Sequence, residues 1–322
     1  MKTYSRLTIA FLLLILVVPP VVADNPPKGK PRVRYYKNGN KQVESHWNNG
    51  KKDGMWTAWY ENGKKQKEGH FKDGEEEGFW IDWNKNGDKA REVHYKNGKL
   101  DGIWTALHEN GKKRKEGHFK NGKEEGLWVD WNKNGQKEQE QHYKNGKLNG
   151  LYTMYYENGQ KRFESNYQDG VIQGIGGAWY DDGKKWQQSH FKNGKKNGLE
   201  TWWYTSGDTW READYKNGKE EGLEIWWDIN GEKQYESHNK NGMKNGLETW
   251  WYKNGKKWRE VHYKDGKDEG RETKWDNISK KQYEYHHKNG KRDGLSTWWD
   301  EDSQKILEVQ YKDGKEVSRK EF

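Results

Sequence analysis

The sequence predicts an all-β fold, an elongated single-layer antiparallel β-hairpin meander built from 24-residue repeats, on three observations. Glycine recurs at 24-residue steps, at Gly54, Gly78, Gly102, Gly126, Gly150, Gly174, Gly198, Gly222, Gly246, Gly270 and Gly294, and no insertion breaks the series. Each period carries two turn signals: an Asn-Gly or Asp-Gly pair from Asn49-Gly50 through Asp313-Gly314, and a second pair such as Asn62-Gly63, Asn86-Gly87 or Asn110-Gly111. The segments between turns are rich in Trp, Tyr, Thr and Val, which favour strands. Two turns per period mean two strands per period, so each 24 residues make one hairpin, and stacked hairpins form a repeat array. Two strands advance about 9 to 10 Å, so twelve units would extend on the order of 110 Å. The second turn signal decays to Ser206-Gly207, Ile278-Ser279 and Asp302-Ser303, which marks less regular hairpin ends late in the chain. A longer period of 48 overlies the first, because residues 55–102 and 103–150 are near copies, as are 199–246 and 247–294.

Composition agrees with an array and not with a deep core. Only 30% of the 322 residues are hydrophobic and 34% are charged, a balance that would suit a disordered chain. Disordered chains are poor in aromatics, however, and this one has 21 Trp and 19 Tyr that must be buried against something. The absence of cysteine rules out a disulfide framework.

Residues 1–23 stand apart. Lys2 and Arg6 precede an apolar run over residues 7–18, followed by Pro19, Pro20 and small residues ending at Ala23, the pattern of a secretory signal peptide. The run is shorter than the ~20 residues a membrane span needs, although an uncleaved signal would leave the chain membrane-anchored. The expected organisation is a signal peptide over 1–23, a linker over 24–33, about twelve units over 34–315 and a tail over 316–322. The location expected is periplasmic or secreted. Loss of Lys2 and Arg6 leaves 58 basic residues against 51 acidic ones, so the net charge falls from +9 to +7.

The unit YKNGKLDGIWTALHENGKKRKEGHF, residues 95–119, resembles the variant MORN repeat (membrane occupation and recognition nexus), and the resemblance covers about residues 34–315. It implies a meander of antiparallel hairpins. Bacterial arrays of this kind are grouped as YwqK-type antitoxin-like proteins, which implies a neutralising role. An exported chain would not meet a cytoplasmic toxin.

Stacking in register turns each position of the period into a ladder. The first strand carries Trp59, Trp83, Trp131, Tyr155, Trp179, Trp203, Trp227, Trp251, Trp275 and Trp299; the second ends on Trp47, Phe71, Tyr95, Phe119, Tyr143, Tyr167, Phe191, Tyr215, Tyr263 and Tyr311, with Asn239 and His287 as exceptions. A three-residue loop at Asn62-Gly63 is expected over a two-residue one, because it would place Trp59 and Phe71 on one apolar face. The opposite face would then hold a Glu ladder, Glu68 and its equivalents, and a His ladder of His46, His70, His94, His118, His142, His190, His238, His262 and His286. Trp202, Trp226, Trp250 and Trp298 are expected on that same Glu and His face, as a partly exposed aromatic row suited to sugar rings or interface hot spots.

Catalysis needs one constellation of unlike groups, whereas these units are nearly alike, so no enzyme activity and no cofactor are expected. Successive ladder histidines lie about 9 to 10 Å apart, too far to share one metal, so no metal site is expected either. Glu should pair with Lys of neighbouring strands, each pair contributing about 0.2 to 1 kcal/mol, and the His ladder should weaken the array near pH 5. Lysines at the turns, such as Lys72, Lys96 and Lys120, should make one long edge basic. The function expected is an exported, non-enzymatic scaffold whose partner is an unidentified protein or an envelope polymer, with an anionic surface or glycan as further candidates and nucleic acid not expected. A carbohydrate or cell-wall binding module using Trp202, Trp226, Trp250 and Trp298 is the first alternative, and an antitoxin-like protein the second. The sequence leaves the oligomeric state open.

Overall fold

The computed structural model describes residues 29–322. The expected signal peptide, residues 1–23, and the first half of the expected linker, residues 24–28, lie outside the described residues. Within them the chain forms one open antiparallel sheet of 27 strands and no helix. Each strand pairs with its successor, from Arg32–Tyr35 on Lys41–Asn48 to Lys305–Lys312 on Lys315–Glu321, except that Lys195–Lys196 and Gly198–Trp203 lie together against Lys185–Lys192, and Lys291–Arg292 and Gly294–Trp299 against Lys281–Lys288. Both ends of the array are longer than expected. Arg32–Tyr35 begins inside the expected linker, and the expected tail supplies the last strand, because Asp313-Gly314 is one more turn of the series and residues 315–321 continue the 24-residue period.

The two turn signals fold differently. Asn49 and Gly50 both have positive φ, 49° and 81°, and join Asn48 to Lys51 directly opposite. This is a two-residue type I′ turn, whose twist matches that of the strands it connects. At the other end Tyr60 N–H donates to Lys64 O at 2.8 Å and Gly63 N–H donates to Tyr60 O at 2.9 Å. Only Gly63 of that loop has positive φ. The three-residue loop is therefore present, as expected.

The faces nevertheless differ from the expectation. Trp59 stands opposite Lys65, but Ala58 stands opposite Lys67, so Gln66 is an extra residue and the pairing slips by one. A slip of one turns every later side chain over. Trp56 consequently faces Gly69 and Gly54 faces Phe71, while Thr57 faces Glu68 and Met55 faces His70. Trp59 therefore shares its face with the Glu and His ladders, and Phe71 lies on the other face with Trp56 and Ala58. The later tryptophans follow the same rule. Trp202 is opposite Arg211, Trp226 opposite Tyr235, Trp250 opposite Arg259 and Trp298 opposite Leu307, which places them on the Phe71 face and not with Glu and His. The slip is favoured by burial: it collects Trp80, Val93, Trp128, Ala213, Val261 and Val309, each 3% exposed or less, in one row of the Phe71 face.

A second irregularity joins each hairpin to the next. From Lys52 to Trp56 the chain takes four steps while its partner takes two, from Trp47 to Ser45, so both faces are kept and a bulge forms around Gly54. Two versions of this bulge alternate, except at Gly222, whose φ of 102° and 3.4 Å approach to Asp214 Cβ set it apart from the open version expected there. Gly54, Gly102, Gly150, Gly198, Gly246 and Gly294 have φ between 112° and 125°, and a Cβ on any of them would come within 3.3 Å of a histidine Cβ. Gly78, Gly126, Gly174 and Gly270 have φ between 72° and 80° and nothing nearer than 3.9 Å. In the first version the facing histidine donates Nδ1–H to a carbonyl that the bulge has freed, as His46 does to Met55 O at 2.8 Å, His142 to Leu151 O at 2.9 Å and His286 to Leu295 O at 2.8 Å. The 48-residue period of the sequence thus reappears in the backbone.

Gly102→Ala should lower stability by about 1–3 kcal/mol, since it adds a crowded Cβ to an unfavourable φ. Gly126→Ala has room and an ordinary left-handed φ, and should cost distinctly less. Equal shifts of the two variants in urea unfolding would show that the approach to His94 is immaterial.

Candidate functional site

The Phe71 face changes character along the chain. In the first half its central row is aromatic: the Trp80 ring lies on Gly69, where a Cβ would fall 2.0 Å from the indole, and Trp128 lies on Gly117 in the same way. Phe71 meets Trp80 edge-on at 5.0 Å, and Lys67 sits 4.6 Å above the same ring. In the second half the row becomes Glu200, Glu224, Glu248 and Glu272, all 7% exposed or less. Buried carboxylates require partners, and each has them. Lys196 pairs with Glu200 at 2.5 Å, Arg211 lies 2.8 Å from Glu224, Lys244 pairs with Glu248, and Arg259 lies 2.8 Å from Glu272. Burial alone would raise the Glu272 carboxyl, but hydrogen bonds and charge from His287 and Arg259 hold it down at about 2. Glu200 is likewise lowered against its burial by Lys196, Ser189 and Gln187.

Trp202, Trp226, Trp250 and Trp298 edge this carboxylate row and are half-buried. They do not make one continuous row. Trp226 and Trp250 are 5.9 Å apart with Tyr235 between them, Trp202 packs with Trp186 at 4.9 Å, and Trp298 packs with Tyr285 at 5.2 Å. Lys274 occupies the equivalent place between Trp250 and Trp298. The indole N–H groups of Trp226 and Trp250 donate to Glu224 and Glu248 at 2.8 and 3.1 Å, so these rings are held by the carboxylates below them.

The Trp59 face carries the feature that sequence reasoning missed. Its outer row alternates, strand by strand, between aliphatic or aromatic side chains and histidines: Met55 opposite His70, Phe79 opposite His94, Ile103 opposite His118, Leu127 opposite His142 and Ile175 opposite His190. Phe79 is 68% exposed, Ile103 57% and Ile175 52%. Beside this row Lys and Glu pair within one strand, three residues apart: Lys41–Glu44 and Lys113–Glu116 at 2.6 Å, Lys233–Glu236 and Lys281–Glu284 at 2.7 Å. The expected partner was on a neighbouring strand. Residues three apart share a face only because the Gln66-type bulge lies between them. Each such lysine also lies over a tryptophan of the next unit, as Lys41 does over Trp59 and Lys65 over Trp83, both at 5.5 Å. The recurring Lys-x-x-Glu spacing, out of phase with a regular strand, was the signal that could have revealed the bulge.

The profile of the family described as "MORN repeat variant" matches residues 52–73, 100–121, 124–145, 148–169, 196–217 and 244–265. The chain is a MORN-repeat protein. Curated protein sequences include none that matches it significantly. Among solved structures, the crystal structure of TcdB2-TccC3-Cdc42 aligns over 87% of this chain at 11% identity with a TM-score of 0.19, and that of TcdB2-TccC3 over 87% at 11% with a TM-score of 0.15. The chain spans 15% and 17% of the lengths of those two proteins, and at such scores the likeness supports no argument about this MORN array. MORN repeats are interaction scaffolds and not catalysts.

Glu272, held at about 2 against an ordinary 4.5, contributes stability that is complete above about 4.5 and disappears as pH falls toward 2. The melting midpoint should therefore hold from pH 7 to pH 5 and fall below about 4.5, less steeply in Glu272→Gln. A fall below pH 4.5 that is equally steep in Glu272→Gln would show that this carboxylate is not its source.

Proposed function

We propose that this MORN array is an exported, non-enzymatic scaffold that docks a protein partner along its Trp59 face. The observation that carries the reading is the exposed apolar row of Met55, Phe79, Ile103, Leu127 and Ile175, repeated at the 24-residue period. Scattered exposed apolar residues are ordinary, but a row of them recurring in register marks an interaction surface. The neighbouring Lys–Glu pairs neutralise one another, which favours a partner with apolar side chains over an anionic polymer. Export is supported by the apolar run over residues 7–18 behind Lys2 and Arg6. A glycan reading draws its support from the half-exposure of Trp202, Trp226, Trp250 and Trp298, although their packing on other rings, and the bonded N–H groups of Trp226 and Trp250, leave little flat ring for a sugar.

A photo-crosslinking residue placed at Phe79 or Ile103, in the cells that make the protein, should yield a discrete protein adduct, whereas the same probe at Trp226 or Trp250 should not. Adducts from the tryptophan positions alone, or saturable polysaccharide binding abolished by Trp226→Ala and Trp250→Ala, would move the site to the other face. N-terminal sequencing of protein recovered from those cells should begin at Asp24; a retained Met1 would end the export reading.

A further inference from the structure

We infer that Asp268, Glu272 and His287 form a binding site for a divalent transition-metal cation of the Zn2+ type. Their ligand atoms all lie within 4.8 Å of one another. Glu272 Oε2 and His287 Nε2 are 3.0 Å apart, close to the separation of about 3.3 Å between two ligands that each stand about 2.0 Å from a tetrahedral ion.

The argument rests on comparison between units. Glu200 and Glu248 occupy the same place in the period as Glu272, and each is met by a lysine four residues earlier, Lys196 or Lys244. At Glu224 the residue four earlier is Glu220, and Arg211 bridges both carboxylates at 2.7 and 2.8 Å. At Glu272 the lysine is replaced by Asp268, which exchanges a cation for an anion. The side chain of Asp268 takes part in no hydrogen bond or ion pair among the described residues, and Arg259, the counterpart of Arg211, reaches Glu272 at 2.8 Å and Glu248 at 3.6 Å but not Asp268. His287 stands where most other units have Tyr or Phe, and it is the same unit that carries Asp268. Two departures from the period therefore coincide, and together they remove a positive charge and add an imidazole ligand.

The surroundings fit a coordinated carboxylate. Arg259 Nε at 2.8 Å and Tyr283 OH at 3.3 Å both bind Glu272 Oε1, which fixes the group and leaves Oε2 directed to the ion. The His287 side chain is only 10% exposed, and its Nδ1 has no hydrogen-bond partner, so the ring is not committed elsewhere. Arg292, across the strand pair from His287, stacks on Tyr285 at 3.9 Å and makes no ion pair with Asp268. Two carboxylates and one imidazole suit a borderline ion, with water completing the shell.

Two variants test the site without threatening the fold, because each installs what sister units already have: His287→Tyr and Asp268→Lys. Chelator-treated protein titrated with Zn2+ in a calorimeter should bind one equivalent tightly and melt at a higher temperature once loaded. Both variants should lose that equivalent, with affinity at least tenfold weaker, and should melt no lower than the metal-free parent. Absence of a one-equivalent site in the parent would overturn the proposal, as would Zn2+ binding that is unchanged in both variants and so belongs to the exposed histidine row.

Discussion

One extra residue in each hairpin, Gln66 and its equivalents, determines what both faces of the sheet display. The three-residue loop at Tyr60 to Lys64 would by itself bring Trp59 and Phe71 together. The bulge that follows it separates them, and so sends the bulky central row to one side and the Lys, Glu and His ladders to the other. The constraint is geometric before it is energetic. An unpaired residue disrupts one rung of the ladder locally, but burial of Trp80, Val93 and Trp128 and the close Lys–Glu pairing both follow from it. The glycine bulge near the opposite end takes up two residues and leaves the faces unchanged, so a single slip per hairpin governs the whole array.

Each unit is tied mainly to its neighbours. The Tyr36 hydroxyl donates to Trp59 O, Tyr60 to Trp83 O and Tyr204 to Trp227 O, all at 2.8 or 2.9 Å. At the other edge each turn glycine donates to a carbonyl one unit back, as Gly74 does to Lys52 O at 2.8 Å. Where tyrosine is absent, as at Asn132, Asp228 and Asp276, the short side chain accepts two N–H groups of its own loop instead. Those hairpins are satisfied internally and lack the tyrosine link onward. Nearest-neighbour coupling of this kind lets stability accumulate unit by unit and vary along the chain.

The period, the turns and the number of strands were legible because glycine and Asn-Gly fix backbone conformation locally; the three-residue loop is present, but the burial of Trp59 with Phe71 that selected it is not. What the sequence concealed was the parity of the second strand. Nothing in Lys65, Gln66 and Lys67 taken singly announces a bulge, since all three are polar and tolerate either face. The error then spread to every residue whose face was inferred from that strand, which is why Trp202, Trp226, Trp250 and Trp298 were assigned to the wrong side. The carboxylate row was visible as Glu200, Glu224, Glu248 and Glu272, yet its burial was not, because the arginines that neutralise it come from the strand whose parity was misread. Asp268 and His287 read as isolated exceptions to two different ladders until the fold brought them together.

The alternation of the two glycine bulges sets the step by which such a molecule can grow. A hairpin with the crowded bulge, capped by histidine, is followed by one with the open bulge, so an inserted single hairpin would place like against like at one junction. Insertion of two hairpins restores the alternation at both seams. The near-identical blocks of 48 residues keep this pairing of bulges, and Gly222, a wide-φ bulge between Gly198 and Gly246 that faces Asp214 in place of histidine, is where the sheet accommodates its interruption.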